Sequence, residues 1–169
     1  MVRRIVALGL LALAGGLVSL SQAGPLGVGV VLGEPTGLTA KQWLGRGHAV
    51  DAAAAWSFAD ATALHFQMDY LFHRPSPPEI EVPGLLFYFG VGGRIKLIDE
   101  DEGRGKRDDG DRIGVRFPLG LDYLFAKSHL EVFMEIAPIL DLAPESDFEI
   151  NGGVGLRYYF GGRPRSRRI

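Results

Sequence analysis

Strict two-residue alternation of large apolar side chains constrains this chain more than any other feature. From Leu64 to Phe72 the apolar groups are Leu64, Phe66, Met68, Tyr70 and Phe72, with His65, Gln67, Asp69 and Leu71 between them. A helix turns every 3.6 residues and cannot hold five such groups on one side at this spacing. A strand with one greasy face can. The pattern recurs from Ile113 to Phe125, where every odd position is apolar. It recurs from Leu130 to Leu140, with Glu131, Phe133, Glu135, Ala137 and Ile139 on the opposite side, and again from Phe148 to Phe160. Leu26–Leu32, Leu38–Leu44, Val50–Phe58 and Leu85–Leu97 carry it too, which makes eight candidate strands. Most run to about 9–11 residues or more, the length a tilted strand needs to cross a bilayer. Strands of soluble proteins more often stop at about 5–6.

The breaks between these runs are turn chemistry. Glu34-Pro35-Thr36-Gly37 places Pro and Gly where tight turns want them, and Gly45-Arg46-Gly47, Ala59-Asp60-Ala61 and Ala126-Lys127-Ser128 are equally short. Arg74–Pro83 is too rich in Pro for a central strand. Asp99–Asp111 is the one long polar loop. No linker divides the chain.

The two faces differ in size as well as polarity. One carries Leu, Val, Ile, Phe, Met, Trp and Tyr almost throughout. The other alternates small residues with charges of both signs: Lys41, Asp51, His65, Asp69, Arg94, Lys96, Arg116, Asp122, Glu131, Glu135, Glu149 and Arg157. An eight-stranded barrel has an interior only just wide enough for side chains. Gly and paired charges suit that interior, whereas Gly on a solvent-exposed strand weakens it for no gain. A lumen filled by mutually paired ions is therefore expected, since a buried charge without a partner costs roughly several kcal/mol. Trp43, Trp56, Phe58, Tyr70, Phe72, Tyr123, Phe125, Phe148, Tyr158 and Phe160 lie near strand ends and are expected to form interfacial girdles. The competing architecture is a soluble lipocalin-like barrel with its greasy face inward, carrying an apolar ligand in the periplasm.

The N-terminus reads as an address. Arg3 and Arg4 precede an uncharged, mostly apolar run from Ile5 to Leu20, followed by Ser21-Gln22-Ala23. That order is the one a secretory signal peptide uses, and the run is short for a spanning helix. The expected organisation is a signal peptide over 1–23, a barrel domain over 24–160 and a basic disordered tail over 161–169. With both arginine-rich ends set aside, 12 basic residues face 20 acidic ones, so the body is acidic. That balance argues against a nucleic-acid partner. The chain has no Cys, which removes disulfides, thiolate metal sites and cysteine nucleophiles at once.

The terminal strand ends Gly-Leu-Arg-Tyr-Tyr-Phe, from Gly155 to Phe160. With a signal peptide and eight alternating strands, it resembles the small eight-stranded outer-membrane barrels of the OmpA/OmpX type. Gly33–Gly37 and Gly120–Phe125 resemble segments of uncharacterised bacterial proteins of that shape. The resemblance implies an all-β fold: an eight-stranded antiparallel up-and-down transmembrane β-barrel after a cleaved signal peptide. It implies a place in the outer membrane of a Gram-negative envelope. The implied partners are outer-membrane lipid and, during biogenesis, the barrel-assembly machinery that reads an aromatic-ended last strand. A monomer is expected. Here Gly161–Ile169 follows Phe160, so that signal would be read internally.

Candidates for chemistry are few. Ser57, His65 and Asp69 contain the residue types of a hydrolytic triad, as a lipid-modifying barrel enzyme would need. However, His65 and Asp69 on one strand stand roughly 13 Å apart. Glu131, Glu135 and Asp141 share a face but are spaced too widely for an acid–base couple, and pairing with Arg116 and Arg157 is expected instead. His48, His73 and His129 fall near turns, where solvation is expected. The loop carboxylates from Asp99 to Asp111 do not follow a calcium-loop spacing. Arg163, Arg165, Arg167 and Arg168 read as a solvated tail. No catalytic, cofactor-binding or metal-ligating residue is assigned. The expected role is structural or one of surface interaction, with a filled, non-conducting lumen.

Overall fold

In the computed structural model, the described residues are 24–45, 47–57, 63–77, 79–80, 82–98, 111–144 and 146–162. The expected signal peptide, Phe58, the Ala59–Ala61 turn, nearly all of the acidic loop and the arginines of the tail lie outside them. Among the described residues every regular element is a strand: β1 (Leu26–Glu34), β2 (Thr36–Gly45), β3 (His48–Ser57), β4 (Ala63–Pro75), β5 (Leu85–Ile98), β6 (Arg112–Arg116), β7 (Leu119–Leu124), β8 (Leu130–Ala143) and β9 (Asp147–Phe160).

All pairings are antiparallel and the sheet closes on itself. Each strand from β1 to β5 pairs with the next, β5 and β8 both pair with β6 and β7, β8 pairs with β9, and β9 returns to β1. Closure removes the sheet edges that would otherwise recruit other chains. The last pairing starts at Leu26–Phe160 and ends at Glu34–Gly152. Chain ends and the β2–β3, β4–β5 and β7–β8 connections lie at one end of the barrel. The β1–β2 and β8–β9 turns lie at the far end, where β3 and β5 also end, and β6 meets β7 within the wall.

Nine strand segments make eight staves. The continuous strand expected from Ile113 to Phe125 is divided into β6 and β7, because Pro118 lacks the N–H that would carry the ladder through. Two bonds hold the wall together across the break. The Gly90 N–H donates to the Pro118 carbonyl, and the Phe117 N–H to the Pro138 carbonyl, both at 2.9 Å.

Alternation sorts the side chains as the lipid-facing arrangement requires. Val28, Val30, Leu38, Met68, Val91, Leu119, Met134, Val154 and Leu156 are exposed on the outer wall. Lys41, Asp51, His65, Asp69, Arg94, Lys96, Arg116, Asp122, Glu131 and Arg157 are buried inside. A soluble barrel with a greasy interior needs the reverse. Trp43 is a correction to the expected girdles: it is 7% exposed and points into the lumen. It stands two residues from Lys41, and alternation puts both on one face. Trp56, Tyr70, Phe125, Phe148, Tyr158 and Phe160 do face outward.

Candidate functional site

Among the described residues the lumen gathers the chemically active side chains, and it is filled in three tiers. At the end that carries the termini, Trp43, Ala49, Leu71, Tyr88, Leu124 and Tyr159 form a buried apolar cluster. His73 joins it, with its ring centroid 4.4 Å from Trp43 and 5.4 Å from Tyr88. Solvation was expected for His73. Instead it is buried, and its Nε2 lies 2.9 Å from Asp122 Oδ2. Its odd number places it on the face of His65 and Asp69.

The cluster is tied to the ions above it. Trp43 Nε1 donates to the Tyr159 hydroxyl at 3.0 Å, and that hydroxyl donates to Glu131 Oε2 at 2.7 Å. The Lys41 ammonium pairs with Asp122 and sits 3.4 Å from Glu131. It also lies over the faces of Trp43 and Tyr88, 5.0 and 5.3 Å from their centroids. Arg157 donates to Glu131 at 2.7 Å, to the Thr39 hydroxyl at 2.9 Å and to Asp51. Its guanidinium stacks 3.7 Å over Phe133.

Arg116 pairs with Asp69 at 3.0 Å and also reaches Glu135 and Gln67. The Tyr88 hydroxyl donates to the other oxygen of Glu135 at 2.9 Å. Toward the far end, Arg94 clamps Asp141 and Glu149, both at 2.6 Å. Arg112 closes this tier on Asp147 at 3.2 Å and Glu149 at 3.4 Å. Pairing of Glu131 and Glu135 with arginines of the neighbouring staves is thus as expected. The capture of Asp141 by Arg94 was not anticipated, because the two stand on staves that do not pair with each other.

Cations Lys41, Arg94, Lys96, Arg116 and Arg157 are matched among the buried residues by Asp51, Asp69, Asp122, Glu131 and Asp141. Ions balanced in this way have little affinity left for a substrate. Asp69, the acid of the conceivable triad, is engaged by Arg116, and His65 stands four residues away along β4. Ser57 pairs with Ala63, two residues before His65, and its side chain is outside the described ones. Among the described residues, no group of three or more His, Asp or Glu side chains is arranged to hold a metal ion.

The family model described as "Protein of unknown function (DUF3996)" matches residues 19–161. The chain belongs to that family. Comparison with curated proteins found no match. Among solved structures, the N-terminal β-barrel domain of Pseudomonas aeruginosa OprF is similar over 82% of this chain and 100% of its own, with a TM-score of 0.64 and 15% identity. A structure titled as the de novo design of transmembrane β-barrels is similar over 83% of this chain and 98% of its own, with a TM-score of 0.53 and 13% identity. At such identities the likeness is one of fold: a small barrel of the membrane-spanning type, reached by one natural and one designed sequence.

Proposed function

We propose that this protein is a monomeric barrel of the bacterial outer membrane, of the OmpA/OmpX type, with a closed lumen. Its role is structural or one of surface interaction rather than catalytic. One observation carries the reading: ions of both signs neutralise each other inside the cylinder while the described outer wall is apolar between its rims. Such a wall is stable only against lipid, and a lumen packed with paired ions and aromatic rings leaves no water path. Residues 1–23 direct export, and β9 with its closing Phe160 engages the assembly machinery. The termini then face the periplasm, and the acidic 99–111 connection faces outward.

The test is expression with the leader in a Gram-negative host. The expected result is an outer-membrane fraction whose unheated form migrates differently on a gel from the boiled form, with no steady conductance steps in planar bilayers. A protein that stays soluble without detergent overturns the membrane assignment. Steady conductance overturns the closed lumen.

A further inference from the structure

The apolar wall is not equally tall all the way round. Its outward series spans six residues on β1, from Leu26 to Leu32, and six on β2, from Leu38 to Leu44, where Gln42 interrupts it. It spans twelve on β5 (Leu85 to Leu97), on β8 (Leu130 to Leu142) and on β9 (Phe148 to Phe160). Each residue adds about 2.5 Å of height, since strands rise about 3.3 Å per residue at a tilt of about 35–45°. The wall is thus about 15 Å tall at β1 and β2 and about 30 Å tall at β5, β8 and β9, against an apolar band of about 25 Å in barrels of this kind.

The register shows which rim is uneven. Followed from Arg157 through Gly29, Thr39 and each next stave to Gly114, Asp141 and Asp147, the pairing returns to β9 ten residues above its start. Each step from stave to stave therefore climbs about 1.25 residues. On that scale Leu26, Leu44, Leu85, Leu130 and Phe160 are level to within about two residues, so the rim that carries the termini is flat. At the other rim Leu32 and Leu38 lie about five or six residues below Leu97, Leu142 and Phe148, a drop of about 12–15 Å. That rim is a slope, and its low point is the β1–β2 turn.

Polar groups stand at this low point. Glu34 and Thr36 occupy the outward positions of the turn, and the Thr36 hydroxyl donates to the Gly33 carbonyl at 2.9 Å. Above Gly152, β9 keeps β8 on one side, and among the described residues no strand lies on the other. A flat leaflet reaching the tops of β5 and β8 would sink the Glu34 carboxylate about 8 Å below its surface. Hydrocarbon does not tolerate a carboxylate or an open strand edge, whereas a bilayer thins around a short apolar wall at modest cost. We propose that this protein thins the outward leaflet on one flank, drawing headgroups and water down to the β1–β2 turn. The partner on that flank is lipid. The 99–110 connection consists only of charged residues and Gly, so it has nothing with which to cover an apolar wall. The proposal rests on the membrane reading above and adds an action on the leaflet itself.

The chain has no Cys, so a single introduced Cys carries one spin label. Leu38→Cys on the low side and Val91→Cys on the tall side stand within about one residue of the same height. Leu32→Cys and Ile136→Cys form a second such pair, and all four positions are exposed on the outer wall. The processed chain is folded in phosphatidylcholine vesicles with a hydrocarbon core of about 30 Å. Depth is read from the balance of label collisions with dissolved oxygen and with a water-soluble nickel chelate. The labels at Leu38 and Leu32 should each lie about 10 Å closer to the headgroups than their partners at Val91 and Ile136. Labels at Leu44 and Leu85, level on the flat rim, should match. Equal depths within either upper pair would overturn the proposal. So would a split between Leu44 and Leu85, which means that the whole barrel leans. Few collisions with either reagent at Leu32 and Leu38 would overturn it too, because polypeptide then covers them. An unlabelled chain that forms no heat-modifiable barrel fails the membrane reading instead.

Discussion

Replacing Arg157 with Met isolates what the lumen ions do for stability. Arg157 is 1% exposed and serves three acceptors, Glu131, Asp51 and Thr39. Met keeps much of the packing on Phe133 and removes the charge. Glu131 would retain the Tyr159 hydroxyl at 2.7 Å and Lys41 at 3.4 Å. Asp51 would keep only the Thr39 hydroxyl at 2.9 Å among the contacts described. Most of the loss therefore falls on Asp51, a carboxylate left buried without a cation. Breaking a buried pair from one side costs about 3–5 kcal/mol, whereas replacing both partners by apolar groups is often near neutral. Arg157→Met should cost an amount in that range. Asp51→Leu alone should cost about 2 kcal/mol, the value of a charged hydrogen bond. The double variant should be at least about 2 kcal/mol more stable than the sum of the single effects predicts, a coupling typical of residues in one network. Equilibrium unfolding by urea in lipid vesicles, followed by the fluorescence of buried Trp43, measures all three. A single-variant cost below about 1 kcal/mol, the range of an exposed pair, refutes the claim that these ions are sealed from water. So does a double variant that is simply additive.

Three further outcomes are expected. Val154→Arg, on the outer wall near mid-height, should destabilise the barrel by about 2–4 kcal/mol in lipid vesicles, whereas a water-facing wall would tolerate it at almost no cost. Trp43→Phe should cost about 1 kcal/mol through loss of the bond to Tyr159, read in the same assay from the remaining Trp56. A β-carbon at Gly120 would overlap the Tyr88 ring, so Gly120→Val should cost about 1–3 kcal/mol or more, and Gly120→Val with Tyr88→Ala should recover part of it.

Much of this fold was legible because one charge fixes the parity of a whole strand. Lys41, Asp51, Asp69, Arg94, Arg116, Glu131 and Arg157 each mark the inward face of a stave, and every other inward position follows by steps of two. What stayed hidden has two physical causes. The first is that hydrophobicity misleads inside a barrel of this width. Trp43, Tyr88 and Tyr159 share parity with Lys41, Arg94 and Arg157, yet a large ring near a strand end also suits a lipid interface. Parity is the stronger signal, because a residue cannot change face without its neighbours changing too. The second is that pairing across the lumen depends on how the ring closes. Arg94 meets Asp141 across staves that never hydrogen-bond, and no spacing within β5 or β8 contains that fact.

Glycine connects these two lessons. β-carbons at Gly27, Gly120 and Gly155 would overlap the rings of Tyr159, Tyr88 and Phe133, and those at Gly92 and Gly114 would overlap the carboxylates of Asp69 and Asp141. Each of these five inward groups therefore lies over an inward glycine of a neighbouring stave. In so narrow a cylinder, large groups interlock only if the position beside each one is empty. At Gly27, Gly92, Gly114, Gly120 and Gly155 an inward glycine marks a large inward partner one stave away, which alternation alone cannot locate, whereas Gly29 and Gly37 meet only backbone and a small side chain. Applied to β7, the rule ties Gly120 to Tyr88, so the lumen is closed by size matching as much as by charge.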